Sequence, residues 1–149
     1  MFAGDGSLWG TAMKLGAMHH LELSVTDLGR SVPFYDAILG FLGYQKIEEK
    51  PEIVGWAGAG GALFIAPVKP DLRHRAHDRY AAGFHHFAWV AASRDDVDRM
   101  HELLRKIDAT ILDPPAEYKY MPGYYAVFFA DPDGMKLELV HTPDWPPNE

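Results

Sequence analysis

Cysteine is absent from this 149-residue chain. That excludes disulfide scaffolds, zinc ribbons and thiol nucleophiles, and it permits the reducing cytoplasm that is the compartment expected here. No basic run is present: 14 Lys and Arg stand against 21 Asp and Glu, a formal charge of −7, which argues against a nucleic-acid partner. No apolar stretch approaches the length that spans a bilayer. The opening MFAGDGSLWGTAMKLGA has neither the basic start nor the long apolar centre of a secretory signal. Residues 1–17, with glycines at 4, 6, 10 and 16, read as a flexible lead-in without chemistry, and 143–149 as a tail. The partner that these exclusions leave is a small-molecule substrate.

What is present is an ordinary globular composition, 48% hydrophobic and 23% charged, long enough for one domain with a real core. That domain covers 18–142 in two halves: repeat one at 18–67, a polar, basic linker at 68–83, and repeat two at 84–142. In repeat one, 19–26 alternates as a strand, and Asp27 can cap a helix whose apolar positions Leu28, Val32, Tyr35, Ile38 and Leu42 step by three or four. Pro33 moves the expected start of the regular helix to Ser31, which keeps the proline in the first turn. Strands follow at Tyr44–Lys50, Ile53–Ala57 and Ala62–Ala66.

Repeat two starts with a strand at 85–92. Ser93 and Asp96 resemble a capping box, and Val97, Met100, Leu104 and Ile107 form the buried stripe of the second helix. Strands are expected at Thr110–Leu112, Tyr124–Phe129 and Met135–His141, with Asp131-Pro132-Asp133-Gly134 turning between the last two. An offset of 66 residues superposes His20 on His86 and Ile38 on Leu104. The fold class is therefore α+β: two tandem βαβββ modules forming a cup-shaped mixed sheet, helices outside and polar side chains inside. Exposed strand edges on such a duplicated scaffold favour a homodimer. Whether the cup closes within one chain or across two is left open by the sequence.

Both repeats open alike, Met18-His19-His20-Leu21-Glu22-Leu23 and Phe84-His85-His86-Phe87-Ala88-Trp89, and the last strand carries Glu138 between Leu137 and Leu139. Side chains alternate faces along a strand, so His20, His86 and Glu138 lie opposite their apolar neighbours, inside the cup. Two imidazoles and one carboxylate are the inventory of a metal site. His19 and His85 are second-choice ligands. Three ligands leave positions open for water or substrate, as a catalytic centre needs. One divalent ion is expected; iron, manganese, zinc, nickel and cobalt all suit the set. Glu22 shares the His20 face and is a candidate for proton transfer. Pairing across a four-residue turn sets Val127 opposite Glu138 and Tyr125 opposite Val140. That register makes Tyr125 the second proton-transfer candidate; a one-residue slip would substitute Tyr124. The run Tyr118–Gly123 reads as a loop over the cup mouth.

These residues are similar to a known family. His20-Leu-Glu-Leu-Ser-Val-Thr-Asp-Leu, Phe34-Tyr35, Leu39-Gly40, Phe129-Ala-Asp-Pro-Asp-Gly and Leu137-Glu138-Leu139 resemble the vicinal oxygen chelate superfamily. It contains glyoxalase I, extradiol dioxygenases, methylmalonyl-CoA epimerase, fosfomycin-resistance enzymes and bleomycin-binding proteins. Tyr120-Met-Pro-Gly-Tyr-Tyr-Ala-Val-Phe-Phe resembles a subgroup of small bacterial members. The resemblance implies metal positions at His20, His86 and Glu138, and a substrate that chelates the ion through adjacent oxygens. Phe64 stands where glyoxalase I-like and epimerase-like members have a fourth ligand, which argues against those activities. The His-His-Glu set is closer to extradiol dioxygenases and fosfomycin-resistance enzymes. Bleomycin-binding members lack the triad; sequestration of a small molecule in the aromatic cup is the alternative function.

Overall fold

The computed structural model describes residues 15–145; most of the lead-in read at 1–17 and the end of the tail at 143–149 lie outside the described residues. The first half runs β1 (His20–Val25), α1 (Leu28–Phe41), β2 (Gln45–Lys50), β3 (Ile53–Gly58) and β4 (Gly61–Pro67). The second runs β5 (His86–Val90), α2 (Arg94–Lys106), β6 (Thr110–Glu117), β7 (Tyr125–Ala130) and β8 (Lys136–His141). Each half forms its own four-stranded mixed sheet, ordered β1-β4-β3-β2 and β5-β8-β7-β6. The first strand of each half lies parallel to the last and the other neighbours are antiparallel. The architecture is α+β, two βαβββ modules in tandem. No helix among the described residues is long and apolar enough to cross a membrane.

The helices form for reasons local to their sequences. Asp27 caps α1 by accepting from the Gly29 N–H at 2.8 Å, and Ser93 with Asp96 completes a capping box on α2. Phe34, Tyr35, Ile38 and Leu39 of α1 and Val97, Met100 and Leu104 of α2 are buried against one face of each sheet, in a single shared core with Leu23, Trp56, Phe129 and Leu137. The two helices also touch each other. Among the described residues, the opposite face of each sheet carries no helix.

Two element boundaries differ from expectation by more than two residues. Helix α1 begins at Leu28, not Ser31, with Pro33 inside it. Pro33 and Gly29 are both exposed, so the ladder bond that proline removes leaves a carbonyl facing solvent, a cheap loss. Strand β6 extends to Glu117 across Pro114 and Pro115, because it is an edge strand with irregular pairing between Asp113 and Ala116.

Candidate metal centre

β1 and β5 are edge strands, and each begins with a histidine. Along β1, Leu23 and Val25 enter the core while His20, Glu22 and Ser24 are exposed; along β5, Trp89 enters the core while His86, Ala88 and Val90 are exposed. His20, Glu22 and His86 therefore lie on the helix-free faces.

The second module brings two of the candidate ligands together. Glu138 lies on β8 beside Ala88 of β5, and His86 beside Lys136. The His86 Nε2 to Glu138 Oε2 distance is 3.4 Å, the separation of two donors each about 2.1 Å from one ion. Glu138 is only 1% exposed. Its Oε1 accepts a hydrogen bond from the Tyr124 hydroxyl. Burial pushes the Glu138 carboxyl above its ordinary value, opposed by the Tyr124 hydrogen bond and the Lys136 charge. Burial likewise lowers His86, with the charges of His85 and Lys136 adding to it. The Tyr124 hydroxyl is itself raised by burial and by Glu138, which keeps its proton in place as a donor.

Tyr125 is not in this site. Its hydroxyl donates to Asp98 of α2 at 2.7 Å, and the Arg94 guanidinium lies 4.8 Å from the centre of its ring. The expected register is one residue out: Phe128, not Val127, lies opposite Glu138, and Tyr125 faces His141. The cause is the turn, in which Met135 still belongs to the connection; its N–H donates to Asp131 Oδ1 and its carbonyl accepts from the Asp131 N–H. One added turn residue reverses the parity of β7 against β8, and Tyr124 takes the inward place.

The segment after β6, expected as a loop over the cup mouth, brings three tyrosines against one another. Tyr118 and Tyr120 stack at 5.6 Å with an interplanar angle of 3°, and Tyr124 meets both edge-on. Lys136 Nζ lies 4.3 Å over the Phe128 ring. The three tyrosines within Tyr118–Tyr124 are the signal from which an aromatic wall was readable.

In the first module, His20 meets Phe64 edge-to-face at 5.8 Å, and Phe64 lies over Gly55. Glu22 is exposed beside it, opposite Phe64. Among the described residues no three His, Cys, Asp or Glu side chains gather where one ion could be held, so His20 does not meet His86 and Glu138 within a single chain.

Comparison with known proteins identifies the family. The family model of the Glyoxalase/Bleomycin resistance protein/Dioxygenase superfamily matches residues 17–139. The uncharacterized protein YqjT of Bacillus subtilis is 34% identical over 124 residues, covering 83% of this chain and 97% of YqjT. Metallothiol transferase FosB of Lysinibacillus sphaericus is 28% identical over 130 residues, covering 87% of this chain and 84% of FosB. A solved structure of a glyoxalase-like protein of Bacillus halodurans superposes with a TM-score of 0.77 at 29% identity, covering 86% of this chain and 97% of that one. The chain belongs to the glyoxalase/bleomycin resistance protein/dioxygenase superfamily.

Proposed function

We propose that the protein is a divalent-metal enzyme acting on a small substrate with two adjacent oxygens. The ion is held by His86 and Glu138 of one copy and by His20 of a second copy in a homodimer. The observation that carries this reading is Glu138, a carboxylate 1% exposed with His86 Nε2 at 3.4 Å and one hydroxyl donor. A buried carboxylate this poorly compensated asks for a cation, and imidazole with carboxylate is a donor set that divalent metals accept. The second copy follows from where His20 stands: on an edge strand, its face open, away from the other two ligands. Strand β5 offers a matching free edge and carries Val90 at 62% exposure, apolar surface that a partner would cover.

When bound, the ion supplies Lewis acidity toward the substrate oxygens. The chain does the rest. Tyr124 occupies Glu138 Oε1 and leaves Oε2 free as a ligand atom. Lys136 places positive charge on the same face as Glu138, suited to an anionic oxygen. Glu22, exposed on the His20 face, is the candidate base, and Tyr124, not Tyr125, is the candidate acid. Kinship with a protein named metallothiol transferase supports a metal-dependent reaction.

A second reading, a small-molecule binding protein without turnover, draws on the Tyr118–Tyr120 stack as an aromatic ligand wall. Elemental analysis of untagged protein purified without added metal tests the first reading. Close to one divalent ion per chain, and turnover lost to a chelator, support the enzyme. No ion as purified and none taken up on titration, with ligand binding indifferent to chelator, would transfer the conclusion to the binding protein.

A further inference from the structure

The two modules share a detail finer than their fold. His19 Nδ1 lies 2.8 Å from His20 Nδ1, and His85 Nδ1 lies 2.7 Å from His86 Nδ1. The ring centroids are 5.0 and 4.9 Å apart and the planes cross at 79° and 73°. The same contact thus occurs in both halves, at the residue immediately before the first strand of each. Two bare ring nitrogens at this distance repel, and two N–H groups clash. Each contact therefore holds one proton, carried by one Nδ1 and accepted by the other.

We infer that His19 and His85 are positioning residues: their Nδ1 atoms accept from His20 and His86, and so hold both ligand histidines as the Nδ1–H tautomer with Nε2 bare. The direction follows from what surrounds each ring. His86 Nε2 is the atom turned to Glu138, and a ligand nitrogen must be unprotonated. With Nε2 committed, the remaining proton of His86 belongs on Nδ1, and His85 is its acceptor. His85 is exposed and meets the Tyr80 ring edge-on at 5.7 Å, which leaves its own Nε2–H free for water. His20 presents its ring to Phe64 and depends on His19 for a Nδ1 partner in the same way. The direction of both bonds rests on the metal reading above; the sharing of one proton within each pair does not.

Histidine-selective 15N spectra of the zinc-loaded protein read the tautomers directly. The expected result is protonated Nδ1 at His20 and His86 and bare Nδ1 at His19 and His85; the reverse assignment overturns the inference. Zinc titration of the wild type, His85→Asn and His85→Phe supplies the second readout. Asn puts an acceptor oxygen where Nδ1 was, whereas Phe keeps the ring and loses the acceptor. His85→Asn is expected to hold zinc within a few-fold of wild type, and His85→Phe to weaken it about ten- to a hundredfold. A packing role for His85 demands the opposite order, and equal affinities would also refute positioning. A wild type that takes up no zinc would defeat the metal reading and the inference with it, whereas a zinc-loaded protein with the reverse tautomers would defeat the inference alone.

Discussion

The Tyr35 hydroxyl donates to Asp131 Oδ2 at 2.9 Å, a buried bond between residues 96 positions apart. It ties the first helix to the last turn. Around it the Thr26 N–H donates to Asp133 Oδ2 at 2.9 Å and the Arg30 guanidinium to the Pro132 carbonyl at 2.9 Å. The Asp131–Gly134 turn is thus the clasp between the two modules.

Removing the donor from that clasp has a defined cost. Tyr35→Phe leaves Asp131 Oδ2 buried without its partner, and a loss of about 1–3 kcal/mol is expected. Urea unfolding of both proteins measures it. A variant as stable as wild type would mean that the bond contributes nothing net.

The same aspartate makes stability depend on pH in an unusual direction. Burial raises the Asp131 carboxyl above its ordinary range, although Tyr35 and the Asp133 and Met135 N–H groups all donate to it. The fold therefore favours the protonated form. Its contribution is complete below about pH 4, the unfolded value, and fades as pH climbs through the raised folded value. Asp131→Asn stays neutral and keeps an oxygen for the two N–H groups. Compared at about pH 4 and about pH 7.5, the variant should gain stability relative to wild type at the higher pH. A difference that does not change with pH would contradict this.

Gly55 sits beneath the Phe64 ring, and a Cβ there would lie inside the ring's van der Waals envelope. Gly55→Ala should force Phe64 toward His20, at a cost of about 1–3 kcal/mol for an overfilled site. Adding Phe64→Leu should recover most of that loss, because the two changes share one space. Thermal unfolding of the three variants checks the pattern; additive losses would rule the shared space out.

The neighbouring tyrosines separate cleanly. Tyr124→Phe removes the hydroxyl on Glu138 and should weaken zinc binding about ten- to a hundredfold, whereas Tyr125→Phe touches only Asp98 and should leave zinc binding unchanged. Calorimetric titration decides between them. Equal effects from both would place neither at the ligand.

Complementation tests the shared site. His20→Ala and His86→Ala should each lose the ion as pure proteins. Mixed and allowed to exchange, their hybrids hold one intact set, and about one site in four should return for a random two-fold assembly. No recovery, from parents that do exchange subunits, would confine each site to one chain.

Much of this was legible because the signal is parity. Leu21, Leu23 and Val25 on one side of β1 leave His20 and Glu22 on the other, and the same alternation sets His86 apart from Phe87 and Trp89. Parity stops at the strand end. Whether Met135 pairs or turns is decided by hydrogen bonds to Asp131, which no periodicity encodes, and that single residue exchanged Tyr124 for Tyr125. Proline misled in opposite ways: Pro33 suggested a later helix start than the capped one, and Pro114–Pro115 concealed an edge strand. Nor can alternation along β1 reveal which sheet its open face will meet, so the separation of His20 from Glu138 came only from the tertiary structure.

The Phe64–Gly55 contact also marks where the two halves differ. Glu22 of β1 pairs with Phe64 of β4, which pairs with Gly55 of β3; the matching row of the second half is Ala88, Glu138 and Phe128. An aromatic ring fills the row in both halves, from β4 in one and from the hairpin partner β7 in the other, and the carboxylate has changed strand as well. Turning the first half into a copy of the second would require Glu22→Ala, Phe64→Glu and Gly55→Phe together. Phe64→Glu alone hollows the row, and Gly55→Phe alone overfills it. The asymmetry between the repeats is therefore held by volume: the ring and the carboxylate of each row must change places together for the row to stay filled.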